Sequence, residues 1–361
     1  MGARPGDPAA FVRAAAQGWA EWAEVLPRRP ALPNLVALGG DRTLCAGDLS
    51  ALAESVREAH PRLAAWLRGL RPYPAARGVA PPIRCGKHAL HFGVKTYIVA
   101  IVNRTPASFS EHRAALPTVD QTVEAAWAAY RAGADIVDIG AESTEEREQG
   151  GIPPAVEAER LLPVIAALAD LPAVLSVDTR RGSVAHRLLA LRPLILNDVD
   201  ALADPELAAA AAAAGVPVVL MHARPIPGGA DAPSTIAERL GQALELATAL
   251  GVAAEQCILD AGFGFGTTLD QDLEATRRLR ELRRLGRPLL HAPSRKRTIG
   301  RVLSYPETIP ERLPGTAAAV VAGIAAGCDL VRVHDVLPMA RAARMADAIY
   351  RGGTWRDLTA P

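Results

Sequence analysis

From Tyr97 onward the chain alternates between short runs rich in Val, Ile and Leu and longer amphipathic segments, and the cycle repeats eight times. The pattern predicts strands over 97–103, 135–142, 173–179, 194–200, 217–223, 257–264, 288–296 and 329–335. Helices are expected between them, among them 118–134, 155–171, 269–285, 316–327 and 337–351. One helix shows its punctuation directly: Asp204 as N-cap, Pro205 in the first turn, an Ala run, then Gly215 as C-cap. Strands that alternate with helices pair in parallel. Eight such units favour closure into a (β/α)8 barrel, with an open doubly wound sheet as the alternative.

The chain has 361 residues, more than the roughly 250 that such a barrel needs. The surplus is N-terminal. Residues 1–80 form an Ala-, Arg- and Pro-rich extension, read as mostly helical, with helical patches at 11–25 and 49–70. Trp19, Trp22 and Trp66 could supply a small core there, and no chemistry is evident in that stretch. A Pro-rich linker at 71–82 and a short hairpin at 83–93 lead into the barrel, taken as 83–352.

A net charge of +1 gives no basis for binding nucleic acid or an anionic membrane. The segment 207–221 is apolar but broken by Gly215 and Pro217, so it is no membrane span. There is no signal-peptide or myristoylation pattern. The four cysteines are far apart and fit neither a disulfide framework nor a zinc site, so free thiols and a cytoplasmic location are expected. Only three of the 40 basic residues are lysines, Lys87, Lys95 and Lys296. A lysine kept inside a motif on that background is informative.

Nearly every predicted strand ends in polar residues: Asn103; Glu142, Ser143 and Thr144; Asp178 and Thr179; Asn197 and Asp198; His222; Asp260; Ser294, Arg295 and Lys296; Arg332, His334 and Asp335. Any one of these could be a helix cap. Eight together, at the end of a barrel where active sites form, point to a site. Asp178, Asp260, Asn197 and Lys296 offer acceptors, an amide and a cation, which suit a flat heterocycle carrying N–H donors and a carbonyl. Arg332, His334 and Asn103 lie on the first and last strands and suit an anion such as phosphate or pyrophosphate. The Gly262–Gly266 run lacks the spacing of a phosphate loop, and no nucleophile–His–acid relay stands out.

These segments, taken in order, resemble the dihydropteroate synthase family over about residues 83–352. The matching segments are Val102-Asn103 through Thr105-Pro106, Ser108-Phe109-Ser110, the 133–140 stretch with Glu142-Ser143-Thr144, and Ser176 to Thr179. Asn197-Asp198-Val199, Met221-His222, Asp260 with Gly262 and Gly264–Gly266, Ser294-Arg295-Lys296 and Arg332 to Asp335 complete the set. The resemblance implies condensation of 6-hydroxymethyl-7,8-dihydropterin pyrophosphate with p-aminobenzoate, giving dihydropteroate and pyrophosphate in folate biosynthesis. It implies that Asp178, Asn197, Asp260 and Lys296 hold the pterin, in a pocket that also includes Met221. Asn103, Arg332 and His334 would hold pyrophosphate, with Asn103 touching Mg2+, and Thr144, Phe265 and Arg295 would border the aminobenzoate. Asp178, Lys296, Arg332 and His334 would carry the catalytic work. Family members tend to dimerise, and the two Ala-rich helices at 316–327 and 337–351 are the candidate homodimer faces.

The departures from the family pattern cluster in two loops. Ala107 replaces the Asp that usually follows Thr-Pro, and Glu111, His112 and Arg113 replace a Gly-containing stretch. Glu145 stands where an Arg follows Ser-Thr, with Arg147 as a substitute shifted in register. In the sixth unit Ala261 replaces Pro and Thr267 replaces Lys. A paralogue with another acceptor, or one that only binds pterin, is therefore the alternative to a working synthase. A corrinoid methyltransferase-type barrel is disfavoured, because a methyl donor brings no pyrophosphate for Arg332 and His334.

Overall fold

A computed structural model describes residues 80–106, 115–143, 146–147, 149–304 and 310–351, together with the backbone of 35–38 and 42–45. The chain divides into two compact units, Met1–Arg77 and Gly78–Pro361. In the first, Leu35–Leu38 and Arg42–Cys45 pair antiparallel, a hairpin that the helical reading of this region did not include. The helical patches expected at 11–25 and 49–70 lie outside the described residues, as do Ala107, Glu111, His112, Arg113, Thr144 and Glu145.

The second unit is a closed barrel of eight parallel strands in sequential order. These are β1 Tyr97–Asn103, β2 Ile136–Gly140, β3 Val174–Asp178, β4 Ile195–Asp198, β5 Val218–Met221, β6 Cys257–Asp260, β7 Leu289–His291 and β8 Leu330–Val333. The barrel closes where β8 pairs with β1, Arg332 lying opposite Val99. The helices are α1 Val119–Arg131, α2 Pro154–Ala167, α3 Gly182–Leu189, α4 Pro205–Ala214, α5 Ala232–Ala249, α6 Leu269–Arg277, α7 Arg297–Val302, α8 Leu313–Ala325 and α9 Val336–Tyr350. The doubly wound alternative is thereby excluded.

Most expected elements are trimmed at their ends, and two strands and one helix lose about half their span or more. β6 stops at Asp260 because Gly262, Gly264 and Gly266 all take positive φ. β7 stops at His291, since Pro293 has no N–H to continue a ladder and Arg295 sits at φ 59°. The helix expected over 269–285 changes to a 3-10 segment at Leu279–Leu285.

Side chains on a strand alternate between its two faces. Val99, Ile136, Val174, Ile195, Val219, Ile258, Leu290 and Leu330 fill the inside of the barrel as one apolar layer. The hairpin strands Ile83–Cys85 and His88–Leu90 close the base, with Ile83, Cys85, Leu90 and Phe92 buried in that same cluster. The alternate residues, such as Ile98, Val137, Leu175, Leu196 and Leu220, pack outward against Ala- and Leu-rich helix faces. With few aromatics, the helices approach the sheet on small side chains. Gly323 of α8 illustrates this: a Cβ there would lie 2.6 Å from His291 Cδ2.

Candidate active site

Two residues beyond the apolar layer, the same inward periodicity presents Asp138 on β2, Ser176 on β3, Asn197 on β4, Met221 on β5, Asp260 on β6 and Arg332 on β8. One step further along their strands lie Asn103 and Asp178. Asn103, Gly140, Asp178 and Asn197 are successive register neighbours across four strands. Gly140 is required here, since a Cβ would come within 2.7 Å of Asn103 Oδ1.

The layer is wired together. Arg332 donates from Nε to Asp138 Oδ2 at 2.7 Å and from Nη2 to Asp178 Oδ2 at 3.1 Å. Asn197 Nδ2 donates to the same Asp138 oxygen at 3.1 Å. The other oxygen, Asp138 Oδ1, is buried with no donor among the described residues. Burial raises the Asp178 carboxyl, against the pull of Arg332 and then Arg147. Burial also pushes Asp260 up to about 6, opposed by the Gly262 N–H at 2.8 Å and by Lys296 and Arg332. Two carboxyls raised at one barrel mouth, beside a buried Arg, fit a functional site.

Lys296 enters from the β7 side. It is the N-cap of α7, and its Nζ lies 3.6 Å from the centre of the Phe265 ring, a cation–π contact. Burial lowers it to about 8, despite Asp260 nearby. Arg295 holds its left-handed backbone because everything around it is tied. Its guanidinium makes two bonds to Asp335, at 2.9 and 2.6 Å, and its carbonyl accepts from Arg312 at 2.8 Å. His334 sits at the rim, its Nδ1 3.0 Å from Ser294 Oγ. Desolvation and then the Arg295 and Arg332 charges hold it below its ordinary range, so it acts as a neutral imidazole rather than a second cation.

Asp178, Asn197, Asp260, Lys296, Arg332 and Met221 thus converge on one mouth, with Asn103, Phe265, Arg295 and His334 around it. Thr144 lies outside the described residues. Not every polar strand end points inward. His222 turns out against α5, its Nε2 3.0 Å from Arg239 Nη1. Asp198 serves its own loop, accepting from the backbone of Asp200 and Leu202 at 2.9 and 2.6 Å. Neither caps a helix, since Asp204 and Asp231 cap α4 and α5, and neither joins the mouth.

Asp138 was missed by sequence reasoning, although a lone Asp inside the run Ile136–Gly140 is the signal that should have found it. Glu142, one of the polar strand ends to which the sequence assigned no role, gathers a cluster of arginines. Its carboxylate, 2% exposed, is met by Arg147 at 3.2 Å, Arg180 at 3.4 Å and Arg181 at 2.7 Å, and accepts the Ile152 N–H. Arg147 reaches on to Asp178 Oδ1 at 3.3 Å. A one-turn cap presents it: Glu146 and Ser143 bond each other's backbone, and Arg160 holds Glu146 at 3.0 Å.

Comparison with known proteins accords with this geometry. Residues 99–334 match the model of a family described as pterin binding enzyme. A dihydropteroate synthase from Synechocystis is 38% identical over 282 residues, 75% of this chain and 96% of the relative. One from Bacillus subtilis is 39% identical over 267 residues, covering 73% of this chain and 92% of the relative. Among solved structures, a dihydropteroate synthase from Clostridium difficile obtained in the presence of pteroic acid superposes with a TM-score of 0.67 at 37% identity, covering 73% of this chain and 99% of that one. A Xanthomonas albilineans dihydropteroate synthase in complex with 7,8-dihydropteroate gives 0.67 at 32% identity, covering 78% and 100%.

Proposed function

The chain belongs to the pterin-binding enzyme family, and we infer from this and from the mouth of its barrel that it is a transferase with dihydropteroate synthase activity. It joins 6-hydroxymethyl-7,8-dihydropterin pyrophosphate to p-aminobenzoate and releases pyrophosphate. The observation that carries the reading is the inward polar layer, in which Asp138, Asp178, Asn197 and Asp260 face Lys296 and Arg332 on an apolar floor.

A reduced pterin presents several N–H donors and one carbonyl along a flat ring. Asp138 Oδ1, Asp178 and Asp260 supply the acceptors, Asn197 an amide, and Lys296 the donor for the carbonyl, with Met221 beside them. As the C–O bond at the methylene breaks, positive charge develops on the ring and negative charge on pyrophosphate. Asp178 is placed to stabilise the first. Arg332, with the neutral His334 and the Asn103 amide, serves the second. Charges fixed in advance in a partly dry site contribute several kcal/mol to such a step. The amine of the acceptor, held near Phe265, Arg295 and Thr144, then attacks the methylene carbon, and no covalent bond to the protein is required.

Magnesium fits this arrangement in one way. Among the described residues no group of three or more His, Cys, Asp or Glu could hold a metal ion. A bound Mg2+ would take Asn103 Oδ1 from the protein and its other ligands from pyrophosphate and water, as that ion prefers. There it would neutralise charge on the departing pyrophosphate. The α8 and α9 faces, with Met345 and Ile349 exposed, are the proposed homodimer contact. No described helix is long and apolar enough to cross a membrane, and a cytoplasmic location is proposed from the unpaired cysteines.

The test is a turnover assay with pterin pyrophosphate, Mg2+ and p-aminobenzoate, following pyrophosphate and dihydropteroate together. Equal release of both is expected. Tight pterin binding without either product would refute the synthase reading.

A further inference from the structure

Asp272 lies in the first turn of α6, and its side chain is buried at 1% exposure. A carboxylate at this position usually complements its own helix terminus. Here that role is already filled, because Thr268 and Gln271 form the capping box of α6. The Asp272 oxygens point elsewhere. Oδ1 accepts from the Gly264 N–H at 2.8 Å and from Thr267 Oγ1 at 2.5 Å. Oδ2 accepts from Thr298 Oγ1 at 2.5 Å.

One carboxylate therefore ties three pieces together: its own helix, the glycine loop after β6, and the first turn of α7. Both bonded segments carry site residues. Gly264 immediately precedes Phe265, and Thr298 follows Lys296 by two residues. The Lys296 stem crosses the loop at Gly264, where a Cβ would lie 3.1 Å from Lys296 Cδ. Thr267, which replaces the family's common Lys, supplies one of the three donors.

We propose that Asp272 is a positioning residue, whose carboxylate fixes the Phe265 loop against the Lys296 helix and so sets the Lys296 ammonium over the Phe265 ring. This rests on the reading that Phe265 and Lys296 meet the substrates. The charged groups facing Lys296 are Asp260 on β6, Arg332 on β8, Asp272 on α6 and Asp178 on β3. Three of the four are acids, and all three come from outside the helix that carries Lys296. Asp272 thus acts on Lys296 in two ways, by tether and by charge.

The two contributions separate in full-length variants assayed over roughly pH 6 to 10. Asp272→Asn keeps the shape and removes the charge. It is expected to raise KM for p-aminobenzoate about tenfold, the cost of weakening charge-assisted hydrogen bonds. It also moves the alkaline limb of kcat/KM below the wild-type value. Thr298→Val removes one tether and no charge, so KM rises and the limb stays in place. Asp272→Asn with wild-type KM and an unmoved limb overturns the proposal, as does a lowered Tm with neither change. Lys296→Met reports separately on the site. Unchanged pterin affinity in that variant refutes the site assignment. Lost affinity there, beside an inert Asp272→Asn, refutes only the positioning role.

Discussion

The base and the mouth of the barrel are built from the same strands, two residues apart, and they differ completely in chemistry. At the base, Ile136, Val174, Ile195 and Ile258 meet in a dry apolar layer closed by the 83–90 hairpin. At the mouth the same faces carry Asp138, Ser176, Asn197 and Asp260, with Arg332 bridging two carboxylates. Burying such groups is costly unless each is paired. The base therefore holds the fold, and the mouth spends part of that stability on a set of charges waiting for a ligand.

The comparison breaks most visibly at the base. Ile136→Ala is expected to lower unfolding stability by about 2–5 kcal/mol, the usual cost of a cavity in a packed core. Pterin affinity of the folded fraction stays at the wild-type value. Denaturant unfolding beside calorimetric titration checks both, and a parallel loss of affinity would show that base and mouth are not separable.

The mouth should instead respond to pH. Bound pterin favours the Asp260 carboxylate and the Lys296 cation. Below the Asp260 value of about 6, a proton competes with the pterin donors. Above the Lys296 value of about 8, the donor loses its charge. Pterin affinity is therefore bell-shaped, falling up to about tenfold per pH unit beyond each limb. Titrations across that range test it, and a flat profile would remove both groups from the site.

The smallest effect belongs to the rim. Arg147 holds one oxygen of Asp178, which pterin donors must share or displace. Arg147→Ala is expected to tighten binding of a free pterin by about two- to fivefold, the scale of a partly exposed ion pair. A variant with weaker pterin binding would mean that Arg147 supports the pterin rather than competing with it.

Much of this contrast is legible in the sequence, because a barrel translates strand periodicity directly into position. The eight strands follow from the alternation of apolar runs with helical segments, the helix over 205–214 from its Asp204 and Gly215 punctuation, and the convergence of Asp178, Asn197, Asp260 and Arg332 from their place at the strand ends. What periodicity does not encode is where a strand stops and which way the next side chain turns. His222 and Asp198 look like Asn197 and Asp260 in sequence, yet one step of register turns them to the helices and loops. Asp138 was hidden for the opposite reason, lying inside the strand rather than at its end. Asp272 is further from reach, since its three partners come from segments that only the fold brings together.

The most direct test of this division of labour is calorimetric titration of a pterin into the wild-type protein and into Asp178→Ala, with thermal unfolding followed on the same samples. Lost pterin affinity, at least about hundredfold, with Tm nearly unchanged is the expected result. Undiminished affinity in Asp178→Ala would contradict the assignment of the pterin site to the mouth of this barrel.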